Sequence, residues 1–91
     1  MRDLEEVISL VPELSRDDLE RWIRAALVEA IEEAGRPGFS ETQYARVRLI
    51  ISLRYDMDVE EETLPVVLDL IDQLHATRDR LRRLSQAVLA Q

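Results

Sequence analysis

The sequence predicts an all-α fold, with or without a minimal β wing, and three observations support this. Capping signals occur at three places, and each precedes apolar residues spaced as on one face of a helix. A strong turn cluster, Gly35-Arg36-Pro37-Gly38, interrupts the middle of the chain. The C-terminal segment carries apolar residues at seven-residue intervals. We therefore expect short helices joined by turns, followed by one long helix.

Capping residues define the first two helices. Asp3 and Glu6 have capping-box spacing and begin a short helix that Pro12 ends. Ser15 is a good N-cap for the second helix, because its hydroxyl can accept hydrogen bonds from the free amides of the first turn. The apolar positions predicted for these two helices are Leu4, Val7, Ile8 and Val11, and then Leu19, Trp22, Ile23, Ala26 and Leu27.

Residues 28–39 leave two alternatives open. The turn cluster at residues 35–38 could close a short β-hairpin wing built from residues 28–30 and Phe39. Alternatively, the second helix continues to Gly35, since the intervening EAIEEA stretch has high helix propensity. The sequence does not choose between them.

A third helix begins at Ser40, which has capping-box spacing to Gln43. Asp56-Met57-Asp58 ends it, and the next helix begins near Glu61. Pro65 then falls in a first turn, where its missing amide hydrogen costs nothing. The apolar side of the third helix is predicted to comprise Tyr44, Val47, Ile50, Ile51 and Tyr55, with Leu49 and Leu53 beside them.

The last helix carries a heptad seam with one polar position, Thr77, and an additional final position at Gln91. A helix this polar on its other faces is poorly stable alone, so the seam most simply buries against a copy in a second chain, and we expect a homodimer. The chain is divided into a helical domain over residues 1–73 and a C-terminal coiled-coil helix over residues 74–91, which is not an independent domain. The predicted dimerisation residues are Val67, Leu70, Leu74, Leu81, Leu84 and Val88.

Composition argues against several function classes. The net charge of −7 disfavours nucleic acid, whose affinity comes largely from cationic contacts to phosphate. The chain has no cysteine and one histidine, His75, and it carries no glycine-rich phosphate loop. We therefore predict no enzymatic activity, no cofactor and no metal site. The acidic N-terminus and the absence of an apolar run of roughly 20 residues predict a cytoplasmic protein that does not bind membranes.

The order of elements resembles the MerR-type winged helix-turn-helix and, more narrowly, the CbpM-like chaperone-modulator family. The resemblance covers nearly the whole chain and ends in an arginine-rich helix. The chain departs from the family pattern in one extra residue between the first two helices, in having almost no N-terminal strand, and in the late position of Pro65. The matching residues are the acidic helix start at Ser15, Asp17, Asp18 and Leu19, the step Val28-Glu29, the set Leu53, Arg54, Asp56, Val59 and Glu60, and the turn Asp69-Leu70-Ile71-Asp72.

The resemblance implies a protein that binds the J domain of a CbpA-like co-chaperone and inhibits its stimulation of Hsp70. It also implies that acids carry the contact, because the Hsp70-docking helix of a J domain is basic. The predicted contact residues form two groups, namely Asp17, Asp18 and Glu20 on the second helix, and Asp56, Asp58, Glu60 and Glu61 around the end of the third.

Two other function classes remain open. One is a dimeric MerR-like transcription regulator, in which Arg16, Arg21, Arg24 and Arg36 would have to reach phosphate. The carboxylates of the second helix lie on the face that would meet DNA, so we expect no specific nucleic-acid binding. The other is a structural coiled-coil adaptor or an antitoxin-like protein, for which the sequence offers only the heptad seam.

Overall fold

The computed structural model describes residues 1–90 and confirms a mostly helical fold with a small antiparallel sheet. Gln91, the predicted final seam position, lies outside the described residues. Within residues 1–90, no helix combines the length and apolar character needed to cross a bilayer. The helices are α1 Leu4–Leu10, α2 Arg16–Arg24, α3 Glu41–Ile51 and α4 Leu64–Leu89, and the strands are β1 Arg2–Asp3, β2 Ile31–Glu33 and β3 Arg36–Phe39.

The three predicted capping residues begin α1, α2 and α3 as expected. The side-chain oxygens of Asp3, Ser15 and Ser40 accept hydrogen bonds from backbone amides three residues further on, at 2.8, 3.1 and 3.2 Å respectively. Each bond satisfies one amide that the helix itself leaves without a partner. The starts of these helices are therefore set by local chemistry.

The second helix stops at Arg24, so the alternative in which it continues to Gly35 is wrong. Ala26 adopts a left-handed φ of 60°, and its amide donates to the carbonyl of Ile23 at 3.0 Å. The amide of Leu27 donates to the carbonyl of Trp22, also at 3.0 Å. This pair of bonds is a Schellman motif, which closes a helix by satisfying its last carbonyls. Ala26 was predicted to belong to the buried stripe, but it is exposed because it lies beyond the helix end.

The β wing forms, but with its first strand at Ile31–Glu33 rather than at residues 28–30. The backbone just before this strand bonds to side chains of α3 instead. The carbonyl of Leu27 accepts from Arg46 Nε at 2.5 Å, and the amide of Glu29 donates to Gln43 Oε1 at 2.9 Å. Strand pairing therefore starts later, and the sheet order is β1-β3-β2.

The wing turns at two residues, Ala34 and Gly35, both with positive φ, at 54° and 76°. This is the pattern of a type I′ turn, which joins Glu33 to its partner Arg36 in the antiparallel register. The strand β1 pairs with the other edge of β3, with Arg2 opposite Phe39. The sheet thereby places Phe39, which is fully buried, at the end of β3 just before α3 begins.

The chain divides into two compact units, Met1–Glu61 and Glu62–Gln91. The first unit has an apolar core that confirms most of the predicted positions, while Ile8, Val11, Ile23, Tyr44, Leu49 and Tyr55 are half-buried. The largest fully buried side chain is Trp22 of α2. The buried apolar residues of this unit are Leu4, Val7, Leu14, Leu19, Trp22, Leu27, Val28, Phe39, Val47, Ile50, Ile51 and Leu53.

The helix α3 continues into a single wide turn, a π-helical segment at Ser52–Asp56. The amide of Met57 donates to the carbonyl of Ser52 at 3.0 Å, five residues back. Asp58 then adopts a left-handed φ of 55°, which aspartate tolerates better than most residues. The helix therefore ends at the predicted Asp56-Met57-Asp58, and a 3-10 turn follows at Glu61–Thr63.

The second unit is dominated by α4, a helix of 26 residues that holds Pro65 in its first turn, as predicted. The division predicted at residues 73 and 74 falls inside this helix, whereas the compact units divide at residues 61 and 62. Leu64 and Leu68 are buried and Val67 is half-buried. The other predicted seam residues are exposed by 50–69%, namely Leu70, Leu74, Leu81, Leu84 and Val88.

Candidate functional site

Arg21 of α2 bridges two of the acids that the sequence placed in separate groups. Its Nη2 atom donates to Asp18 Oδ1 at 2.6 Å and to Glu61 Oε1 at 2.8 Å. Asp18 lies one turn earlier on α2, and Glu61 is the last residue of the first unit. The two predicted acidic groups therefore meet at one arginine.

Trp22 adds a second contact to Glu61. Its indole Nε1 lies 3.3 Å from each carboxylate oxygen of Glu61. A buried tryptophan needs an acceptor for this N–H, and Glu61 provides it. Arg54 Nε lies 3.5 Å from Glu61 Oε1, so the half-buried carboxylate has two arginines beside it.

Tyr55 connects the π-helical turn to α2, because its hydroxyl donates to Asp18 Oδ2. The rings of Tyr55 and Trp22 lie 6.3 Å apart at 43°. We call Asp18, Arg21, Trp22, Tyr55 and Glu61 the Arg21 network. It ties α2 to both ends of the exposed acidic segment 56–60.

The network shifts the pKa values of Asp18, Arg21 and Tyr55. Burial raises the pKa of Tyr55, and its hydrogen bond to the Asp18 carboxylate raises that pKa further. Burial alone would raise the pKa of Asp18, but hydrogen bonds from Tyr55 and Arg21 outweigh it and hold that pKa below its usual range. Hydrogen bonds to Glu61 and Asp18 raise the pKa of Arg21. Hydrogen bonding to the ionised forms of Asp18 and Arg21 therefore stabilises their charges.

The predicted contact acids differ in their surroundings. Asp18 and Glu61 are half-buried and hydrogen-bonded within the network, and Arg21 and Arg54 together largely match their two charges. Four others are exposed, and of these Asp58 has a backbone conformation that restricts substitution. The exposed acids are Asp17, Asp56, Asp58 and Glu60.

Glu20 and Asp56 line two separate surface depressions of the first unit. Glu20, half-buried, faces a depression of about 500 Å³ shared with Leu4, Arg16 and Arg36. Asp56 borders another of about 350 Å³, next to Leu10, Tyr44 and Arg48. Both depressions mix apolar and charged side chains. The residues that line the depression beside Glu20 do not belong to the Arg21 network, so Glu20 is separate from that network.

Sequence reasoning assigned Tyr55 and Trp22 to the apolar core and Arg21 to a possible phosphate contact. The sequence indicated the hydrogen bonds of Arg21 and Trp22 only weakly. Asp18 and Arg21 have the i, i+3 spacing of a helical ion pair, and the indole of a buried tryptophan needs an acceptor. The link to Glu61 spans 40 residues and has no local signature.

Within residues 1–90, no group of three or more histidine, cysteine, aspartate or glutamate side chains is arranged to hold a metal ion. No protein-family model matches the sequence, and no curated protein or solved structure gives a significant match.

Proposed function

We propose that this protein binds the J domain of a CbpA-like co-chaperone and inhibits its stimulation of Hsp70. The carrying observation is the exposed acidic segment 56–60, whose two ends are anchored by Tyr55 and Glu61. Anchoring both ends reduces the entropy lost when such a segment binds. The sequence resemblance supports the choice of partner, because the partner face that it implies is basic.

The charge distribution favours this partner over an acidic one. Asp56, Asp58 and Glu60 are exposed within five residues, and Asp17 adds a further carboxylate on α2. The chain as a whole carries a net charge of −7. Opposite charges steer two proteins together and raise the association rate, an effect that salt screens over about 8 Å at physiological ionic strength.

The Arg21 network distinguishes hydrogen-bonded acids from exposed ones. Asp18 and Glu61 hold the fold together, so replacing either would change α2 and the segment 56–60 at once. Asp58 occupies a left-handed backbone position. Asp56 and Glu60 are free of both constraints, and they are the acids whose replacement tests the contact most cleanly.

The test is a double charge reversal, Asp56→Lys with Glu60→Lys, assayed against an isolated J domain of a CbpA-type co-chaperone. We expect binding to weaken by about 1–3 kcal/mol, a size typical of charged interface contacts. Calorimetry at two salt concentrations should also show wild-type affinity falling as salt rises. A stimulation assay with Hsp70 then measures inhibition.

The matched control is Glu32→Lys with Glu33→Lys on the exposed strand β2, which changes the net charge equally at a different place. It should bind within a factor of a few of wild type. Equal weakening of J-domain binding by the two double variants would show that the effect comes from net charge alone. Salt-independent binding, or full inhibition by the reversal variant, would place the contact elsewhere.

Duplex DNA is the partner that this proposal excludes. Of the four arginines that a MerR-like regulator would need, Arg16 is paired with Glu5, and Arg21 belongs to the network. Both are already matched by carboxylates, which compete with phosphate. A gel shift at physiological salt should show no sequence-dependent complex, and tight selective binding would instead favour the transcription-regulator class.

A further inference from the structure

Two exposed apolar side chains accompany the acidic segment 56–60. Met57, inside the segment, is 66% exposed, and Leu10, at the end of α1, is 48% exposed. Leu10 and Asp56 line the same depression of about 350 Å³, and Met57 directly follows Asp56 in the chain. Exposed carboxylates and exposed apolar groups therefore occupy one surface, which we call the mixed surface and define by Leu10, Asp56 and Met57.

The backbone on both sides of Met57 is hydrogen-bonded. The amide of Met57 donates to the carbonyl of Ser52 at 3.0 Å, and the amide of Val59 donates to the carbonyl of Leu53 at 2.9 Å. The side chain of Met57 is therefore presented to solvent from a fixed position. Covering such a side chain removes apolar surface from water, and the fixed backbone keeps the entropy lost on binding small.

The depression beside Asp56 combines apolar and acidic groups. Its apolar lining includes Ile51, which is buried, and Tyr44, which is half-buried. Its charged groups are two carboxylates, Glu13 and Asp56, and one guanidinium, that of Arg48. A side chain with an aliphatic body fits the apolar lining, and the excess of acid favours cations on the residues next to it.

We propose that Leu10 and Met57 are apolar anchors for the partner, and that they receive an aliphatic side chain from its basic helix. Asp56 and Glu60 pair with cations on the same helix. The occupant of the mixed surface is therefore a helix that carries basic and aliphatic residues on one face. This inference rests on the proposed function and adds an apolar component to its electrostatic one.

The two components contribute differently to binding. Exposed carboxylates steer a basic partner, but each exposed ion pair adds little free energy and is screened by salt. Apolar side chains that become fully covered supply most of the affinity at typical protein interfaces. Leu10 and Met57 are the exposed large apolar residues of the mixed surface, so they carry the part of the affinity that salt does not screen.

Met57 can be observed directly, because the chain contains only one other methionine, Met1. Both are exposed, so Met1 is an internal control. The isolated J domain of a CbpA-type co-chaperone is added to protein that carries isotope-labelled methionine methyl groups. The methyl resonance of Met57 should shift or broaden, while that of Met1 stays in place. A shift of the Met57 resonance when the chain alone is concentrated would assign the surface to a second copy and overturn the proposed occupant.

Substitutions measure the size of the apolar contribution. Met57→Gln keeps the length of the side chain but makes it polar, and it should raise the dissociation constant for the J domain about tenfold. Leu10→Gln should have a similar effect, whereas Met57→Leu, which stays apolar, should bind within a factor of about two of wild type. The matched control is Ile31→Thr on β2, which removes an exposed apolar side chain away from the mixed surface.

Salt separates this inference from the proposed function. The loss caused by Met57→Gln or Leu10→Gln should be the same factor at low and high sodium chloride, whereas the loss caused by reversing Asp56 and Glu60 should shrink as salt rises. Wild-type affinity in both glutamine variants, or an equal loss in Ile31→Thr, would overturn the anchors and leave the proposed function standing. A wild-type chain that does not bind the J domain would overturn both.

Discussion

The two units of this chain satisfy their apolar residues differently. The first encloses Trp22 and Phe39 completely and gives the indole of Trp22 an acceptor in Glu61. The second leaves most of the predicted heptad seam of α4 exposed, with Leu64 and Leu68 as its buried positions among the described residues. Helical spacing of apolar residues predicted both the apolar face of α2 that carries Trp22 and the apolar face of α4. Spacing alone shows which residues share a face, and the tertiary structure shows whether the chain itself covers that face.

The largest expected effect comes from breaking the heptad seam of the second unit. Leu81→Glu with Leu84→Glu should give monomers that lose helicity in α4, because most of the stability of a helix in a protein comes from packing of its apolar face. The first unit should keep its unfolding transition, since its core includes neither residue. Sedimentation and circular dichroism measure the two effects.

The control places the same charges off the seam, as Ala76→Glu with Gln86→Glu. These positions face away from the seam in the heptad, so this variant should remain dimeric. An unchanged sedimentation mass for the Leu81 and Leu84 double variant would show that these two residues do not lie in a dimer interface.

An intermediate effect is expected in the first unit from Tyr55→Phe, which removes the hydroxyl that donates to Asp18. The free energy of unfolding should fall by about 1 kcal/mol, since the pair is partly exposed to solvent. The matched control is Tyr44→Phe, whose ring packs against the Arg2 guanidinium at 4.5 Å. That contact involves the ring face, so the control should change stability little.

The same variant should also lose less of its free energy of unfolding at low pH than the wild type does. The pKa of Asp18 is held below its usual value in the folded state, so its stabilising contribution is present above about pH 4 and is lost as pH falls below that. Removing the Tyr55 hydroxyl weakens this depression. Urea unfolding between pH 2 and pH 6 should therefore show a smaller loss for Tyr55→Phe than for wild type, and parallel curves would contradict the role of the bond.

The smallest expected effect is a gain in stability. Ala26 pays the cost of a left-handed φ at the end of α2, and glycine adopts this conformation without strain. Ala26→Gly should raise the free energy of unfolding by about 0.5 kcal/mol, because the larger entropy loss of glycine offsets part of the strain that is relieved. Ala25→Gly, at a right-handed φ of −80°, should lower it by about 0.5–1 kcal/mol. Equal effects at both positions would show that backbone strain at Ala26 is unimportant.

Local chemistry explains which parts of the fold were predictable. The caps at Asp3, Ser15 and Ser40 act over three residues, so the sequence placed three helix starts correctly. The start of β2 depended on Arg46 and Gln43, which contact that backbone from 14 to 19 residues away. Helix propensity therefore could not decide between wing and helix.

The acidic groups were predictable as charges but not as neighbours. Tyr55 reaches Asp18 across 37 residues, and the bridge from Arg21 to Glu61 depends on how α2 packs near the end of α3. Sequence spacing therefore listed seven candidate acids without separating structural from exposed ones. The structure shows that Asp18 and Glu61 are structural acids, because both are hydrogen-bonded within the Arg21 network.

The π-helical turn at Ser52–Asp56 has a consequence for how this sequence can change by insertion and deletion. A π turn holds one more residue than an α-helical turn of the same helix. Deleting one residue there would return the turn to regular α-helix and leave the residues after it facing nearly the same way, because the wide turn is what absorbs the extra residue. Deleting one residue within Glu41–Ile51 would instead rotate everything after it by about 100° and turn Tyr55 away from Asp18. Single-residue deletions should therefore be better tolerated in this turn than in the helix before it.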